Sequence, residues 1–283
     1  MTLMPTRTIL DEAHRAGRGV GAFNVVHLET AEALAAAAES AGLPVILQLS
    51  ENCIRYHGAL DPIALATLTI ADASTAPVAV HLDHAEDPEL ALRAIDAGFG
   101  SVMYDGAKLE FAGNVATTRR VVAHADRVGV LVEAELGEIG GKDGAHAPGV
   151  RTDPGEAARF VAETGVGSLA VAVGSSHAMT ERTAAIDLDL VARLARIVPV
   201  PLVLHGSSGV PDETIVRGIR SGLTKINVST HLNAAFTSAI REHLSQHPAV
   251  VDSRSYVAAG RDAVHREAAR LLTLFASTTK EYA

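Results

Sequence analysis

Cysteine is all but missing from this chain. Cys53 is the only one in 283 residues, so no intrachain disulfide can form and no thiolate zinc site can be built. Any metal must be held by imidazoles and carboxylates. Positive charge is also scarce: 24 Lys+Arg stand against 33 Asp+Glu, a net charge of −9. Without a basic run the chain lacks what nonspecific nucleic-acid binding depends on. No apolar run approaches the roughly 20 residues of a membrane span, and the first residues lack the layout of a secretory signal. The expectation is a cytoplasmic protein with no nucleic-acid and no membrane partner. No Pro/Gly/Ser-rich linker divides the sequence, and no Gly-x-Gly-x-x-Gly turn follows the first β-like run, which weighs against a dinucleotide-binding fold.

What is present is apolar content enough for a core, 48%, arranged in alternation. Short runs rich in Val, Ile and Leu read as strands buried on both faces: Val20–Phe23, Pro44–Leu49, Val78–Leu82, Ser101–Tyr104, Val130–Glu135, Ser168–Val173, Pro201–Leu204 and Thr224–Val228. Helical stretches lie between them, several announced by Asp-Pro pairs at residues 61–62, 87–88 and 153–154, with Asp as cap and Pro at the first position. Strand and helix alternating eight times predicts an α/β fold, a (β/α)8 TIM barrel, with an open doubly wound sheet as the alternative. Two elements are extra: an N-terminal helix over Thr6–Ala16 and a C-terminal helix over Ser253–Ser277. The expected organisation is one barrel domain over 1–283, with 252–283 as a C-terminal helical extension.

In such a barrel the chemistry sits where strands end. Those positions carry Asn24; Gln48 and Ser50; His81, Asp83 and His84; Asp105; Glu133 and Glu135; Gly174 to His177; His205 to Gly209; and Asn227, Ser229 and Thr230. Of thirteen histidines, most fall in helices or loops, whereas His84, His177 and His205 follow strands three, six and seven. Three imidazoles at one rim leave a divalent ion its charge and an open position, a catalytic arrangement. The Gly-Ser-Ser-Gly turn at 206–209 and the Asn-Val-Ser-Thr run at 227–230 follow strands seven and eight, where backbone N–H groups and a helix N-terminus often bind phosphate.

The motifs His-Leu-Asp-His at 81–84, Glu-Ala-Glu-Leu-Gly at 133–137, Gly-Ser-Ser-His at 174–177, Leu-His-Gly-Ser-Ser-Gly at 204–209 and Lys-Ile-Asn-Val at 225–228 resemble those of the class II, metal-dependent ketose-bisphosphate aldolases. This family includes the fructose- and tagatose-1,6-bisphosphate enzymes. The resemblance spans essentially the whole chain. It implies a glycolytic or related carbohydrate-metabolism lyase that cleaves its ketose through a metal-stabilised enediolate. His84, His177 and His205 would hold catalytic zinc, and Asp83 would handle the carbon-4 hydroxyl proton. Asp105 and Glu135 would sit where a second cation can bind. Gly206, Ser208, Asn227, Ser229 and Thr230 would take the dihydroxyacetone-phosphate half, Gln48 and Ser50 would face the aldehyde half, and Asn24 would support the site.

Some positions depart from the family pattern. Asp143 stands where the family usually has a loop glutamate that protonates the enediolate. Glu138 is the fallback. Ala178 and Glu181 replace a common glycine and lysine, with Arg182 next as a compensating charge. By the same resemblance Arg261 would reach the aldehyde-side phosphate of a neighbouring subunit, the alternative being a solvated helix arginine, and the amphipathic C-terminal helix suggests a homodimer or homotetramer. Competing readings are a Schiff-base aldolase using Lys225, a class II enzyme for another phosphorylated ketose or keto acid of the 5-dehydro-2-deoxyphosphogluconate type, and a phosphosugar-binding barrel without catalysis.

Overall fold

The computed structural model describes residues 3–136, 151–176, 179 and 181–278. Along the chain run α1 (Thr6–Ala16), β1 (Val20–Asn24), α2 (Leu28–Ala41), β2 (Val45–Ser50), α3 (Glu51–His57), α4 (Leu60–Ala73), β3 (Val78–Ala85), α5 (Pro88–Asp96) and β4 (Ser101–Tyr104). They are followed by α6 (Phe111–Ala125), β5 (Leu131–Leu136), α7 (Pro154–Thr164), β6 (Ser168–Val171), α8 (Leu188–Ile197), β7 (Leu202–Leu204), α9 (Asp212–Ser221), β8 (Leu223–Val228), α10 (Thr230–Gln246) and α11 (Ser253–Ala276). The strands pair in parallel in chain order and close, β8 returning to β1 through Ala22 opposite Asn227. Closure removes the open-sheet alternative.

The strands split by parity, as the two-residue side-chain period requires. Phe23, Leu47, Val80, Val132 and Ile226 face outward into the shell of helices. Val20, Ala22, Ile46, Ala79 and Leu131 face inward and meet Ile9, Leu10 and Ala13 of α1, so α1 closes the floor of the cylinder. Met103, Ala170 and Val203 form a second small inward cluster.

Asp87 and Asp153 cap α5 and α7 as expected, accepting the backbone N–H of Glu89 and Glu156 at 2.9 Å. At residues 61–62 the expectation fails. Helix α4 begins at Leu60 with Ala59 at the cap position, and Asp61 and Pro62 lie inside its first turn. Leu60 is buried there, and first-turn N–H groups have no intrahelical partner, so Pro62 loses nothing. Helix α3 has no counterpart in the sequence reading; Ser50 caps it by accepting the Cys53 N–H at 3.1 Å. The apolar side of α11 is spent within the protomer, with Val264, Leu271 and Leu272 buried, which removes the reason for assigning that face to a subunit contact.

Candidate active site

Counting inward-facing positions up each strand leads to the rim. Ala22 is followed by Asn24, Ile46 by Gln48 and Ser50, Ala79 by His81 and Asp83, and Leu131 by Glu133 and Glu135. Asp105, His205 and Asn227 extend the series on strands four, seven and eight. Asp83 and His84 are adjacent, and a regular strand would turn them to opposite faces. Here the pairing of β3 with β4 shifts register between Leu82 and Ala85, and His84 has φ 51°, left-handed for a non-glycine residue. Strain of this kind, about 1–3 kcal/mol, puts both side chains on one cavity.

That cavity, about 170 Å³, is lined by Asn24, Ser50, Asp83, His84, His205, Gly206, Ser208, Asn227, Ser229 and Thr230. Every one of them was singled out from sequence. Gln48 lies just beneath and donates to the Asn24 carbonyl oxygen at 3.0 Å. Asn24 in turn donates to Asp83 Oδ2 at 3.1 Å, and Asn227 donates to Asp83 Oδ1 at 3.3 Å. Burial pushes the Asp83 carboxyl up, but the charges of His84, His205 and Lys225 and the Asn24 hydrogen bond outweigh it, and the group sits below its ordinary value. Asp83 is therefore a carboxylate at neutral pH. The Ser50 hydroxyl accepts at the α3 cap, so its own hydrogen can point into the cavity.

His84 and His205 are held from behind. His84 Nδ1 donates to Asp105 Oδ2 at 2.9 Å, and His205 Nε2 lies 3.0 Å from Glu133 Oε1. Asn227 Nδ2 is also 3.1 Å from that nitrogen, but a carboxylate can only accept, so Nε2 carries the hydrogen. Both far nitrogens are thus protonated, and the near ones, His84 Nε2 and His205 Nδ1, meet in a hydrogen-bond contact at 2.7 Å. In neutral rings both near nitrogens are acceptors, open to a cation that takes the place of this contact. With Asp83 alongside, they form a group able to hold a metal ion, and His84, Asp105 and Glu135 form a second. The donor set fits a divalent ion backed by carboxylates on its histidines.

At the phosphate-type rim, Gly206 (φ 66°) turns the chain after His205. Ser207 Oγ donates to the Asn227 carbonyl, and Ser208 Oγ accepts the Ser229 N–H at 3.3 Å. These bonds tie strands seven and eight together at the start of α10.

The family model of class-II fructose-bisphosphate aldolase matches residues 4–280. The chain belongs to this family. It is 40% identical to fructose-bisphosphate aldolase of Geobacillus stearothermophilus over 284 residues, 99% of each chain, and 40% identical to that of Thermus caldophilus over 298 residues, 95% and 96%. Among solved structures it resembles the YdjI aldolase from Escherichia coli K12, with a TM-score of 0.84, 31% identity and 98% of each chain covered. A putative fructose-1,6-bisphosphate aldolase from Coccidioides immitis gives 0.83 and 30%, covering 97% and 96%. This class-II aldolase is thus a carbon–carbon lyase of a metal-dependent family that acts on small phosphosugars.

Several expectations fare differently on the aldolase. His177, Asp143, Glu138 and Ala178 lie outside the described residues. His81 and Glu133, read as rim residues, sit one layer below the cavity, both fully buried. Lys225 does not line the cavity either. Its ammonium is 2.9 Å from Glu133 Oε2 deep in the barrel, which removes it as a Schiff-base lysine. Arg182 donates to the Val210 carbonyl from Nε at 2.9 Å and from its second amino group at 2.6 Å, and pairs with Asp212 at 2.6 Å. It supplies no charge for a ligand. Arg261 lies on the outside of its own barrel, 3.6 Å from Glu32 and 3.7 Å from Asp262. His81, Glu133 and Lys225 lie two residues before Asp83, Glu135 and Asn227 on their strands and meet in an interior column.

Proposed function

We propose that this aldolase reversibly cleaves a ketose 1,6-bisphosphate of the fructose or tagatose type to dihydroxyacetone phosphate and glyceraldehyde 3-phosphate, with zinc held by His84, His177 and His205. The observation that supports this most is the pair of carboxylate-backed imidazole lone pairs converging beside Asp83 in one cavity. When bound, the ion supplies Lewis-acid polarisation of the ketose carbonyl. Asp83, kept ionised and clamped by Asn24 and Asn227, takes the proton from the carbon-4 hydroxyl in cleavage and returns it in condensation. Ser208, Ser229 and Thr230, with the Gly206 turn and the N-terminus of α10, bind the carbon-1 phosphate. Gln48 orients Asn24, Ser50 donates toward the aldehyde half, and Asp143 serves as the second proton carrier. Asp105 and Glu135 are the residues for a second cation. Arg261 would act on a neighbouring subunit's substrate in a cytoplasmic homodimer or homotetramer. Helix α10, with only Leu232 buried among its 17 residues, is the face for that contact.

A second reading keeps the chemistry and changes the substrate to another phosphorylated ketose or keto acid. It is favoured by Arg182, whose commitment to Val210 and Asp212 leaves Glu181 uncompensated. One experiment tests both: metal content of purified protein, then cleavage rates on a phosphosugar panel before and after chelation. Zinc near one per chain and fastest turnover of a hexose bisphosphate, lost on chelation, is the expected outcome. Full activity in chelator refutes the metal role, and preference for another phosphosugar moves the assignment to the second reading.

A further inference from the structure

A continuous polar column runs through the barrel below the cavity, where apolar layers would ordinarily fill the space. At the floor, Ser101 Oγ donates to Thr6 Oγ1 of α1 at 2.8 Å. His81 Nδ1 meets Ser101 Oγ at 2.7 Å, and His81 Nε2 faces Lys225 Nζ at 3.5 Å. Lysine can only donate, so His81 accepts through Nε2 and carries its hydrogen on Nδ1. Lys225 Nζ also lies 2.9 and 3.2 Å from the two oxygens of Glu133, and Ser168 Oγ donates to Oε2 at 3.3 Å. Glu133 Oε1 then meets His205 Nε2. Thr6, His81, Ser101, Glu133, Ser168, His205 and Lys225 are all fully buried. The last bond of the column ends on His205.

We propose that the Lys225–Glu133 ion pair is the positioning pair of His205: it holds the imidazole hydrogen on Nε2 and so keeps the Nδ1 lone pair turned to the ion site. This rests on the reading of His205 as a metal ligand. Lys225 pairs with Glu133 Oε2 at 2.9 Å, and Glu133 Oε1 accepts from His205 Nε2 at 3.0 Å. A buried ion pair is a poor device for stability, since well-packed apolar residues often serve as well. Its value here is direction. With Glu133 gone, Asn227 Nδ2, a donor, still stands 3.1 Å from His205 Nε2. Nε2 would then accept, and the hydrogen would move to Nδ1, where it competes with the ion.

The test uses full-length protein in which Glu133→Leu and Lys225→Met are combined, removing both charges together. Histidine is labelled with nitrogen-15, and long-range proton–nitrogen correlation spectra read the tautomer in the metal-free protein. Zinc affinity is read by competition with a chromophoric chelator, and folding by thermal melting. The wild type is expected to carry the His205 hydrogen on Nε2. The double variant should melt close to the wild type, carry that hydrogen on Nδ1 and bind zinc roughly 10- to 100-fold more weakly. A wild-type His205 protonated on Nδ1 overturns the proposal whether or not the variant folds. So does a folded variant with Nε2–H retained and zinc affinity unchanged. Zinc uptake that leaves the His84 and His205 ring signals unmoved overturns the metal site itself, and the tautomer readout separates that failure from loss of the pairing alone.

Discussion

Replacing Gly206 by alanine perturbs the site without touching a charged group. A Cβ at residue 206 would lie 2.6 Å from both the carbonyl carbon and oxygen of Ser176 and 2.9 Å from its nitrogen. These are backbone atoms and cannot swing aside. Relief needs a movement approaching an ångström between two turns, one carrying His205 and the other leading into His177. Added to this is the left-handed conformation at φ 66°, about 1–2 kcal/mol for a residue with a Cβ. A misplacement of about 1 Å near a reacting centre costs about a hundredfold. Gly206→Ala is therefore expected to lower kcat/KM for ketose bisphosphate cleavage by about 10²-fold and the Tm by about 2–8 °C. Gly42→Ala is the matched control. Its φ is +63° but a Cβ there meets nothing within 4 Å, so it should lower the Tm by a smaller amount and leave kcat/KM unchanged. A coupled-enzyme cleavage assay and thermal melts decide the matter. Threefold or smaller loss in Gly206→Ala, or equal loss in both variants, refutes the geometric argument.

Asp83→Asn should leave zinc content and melting temperature near wild type while lowering kcat by about 10²–10⁴-fold, the usual worth of a positioned proton carrier; a loss under tenfold, with metal content confirmed, removes Asp83 from that role. Borohydride with substrate should neither inactivate the enzyme nor label it, because Lys225 is tied to Glu133; a mass increase at Lys225 would contradict this. On the outer surface, burial raises the Glu267 carboxyl, but hydrogen bonds from His231 and Arg270 outweigh it and hold it at about 2 against an ordinary 4.5. A folded-state value below the unfolded one gives stability that is full above about pH 4.5 and lost as pH falls toward 2. Glu267→Gln should thus melt lower than wild type at pH 7, by about 2–4 °C for about 1 kcal/mol after solvent screening, with the gap narrowing steadily below pH 4.5. A gap that stays constant down to pH 3 counts against the linkage.

The barrel was legible because it is written in repetition: eight Val/Ile/Leu runs with helices between them admit few parallel arrangements. The rim was legible because closing such a barrel brings strand ends together whatever their separation in sequence, so Asp83, His205 and Asn227 could be placed on one cavity. Three things resisted. The bulge that turns His84 toward Asp83 depends on pairing with β4, which no local pattern announces. Helix α3 has seven residues, too short for its periodicity to stand out. Long side chains were the third. Arg182 was read as free to meet a ligand, but the turn at Val210 and Asp212 claims it, and only three-dimensional packing reveals such competition. The column under the site fell between categories: His81, Glu133 and Lys225 look like rim chemistry in sequence, yet the step of one layer takes them out of a ligand's reach.

Helix α1 gives the barrel a stopper. Ile9, Leu10 and Ala13 pack across the lower opening, and Thr6 terminates the polar shaft there as an anchor. Shortening the leader helix would uncork the cylinder. Water would then reach the Glu133–His205 contact from beneath.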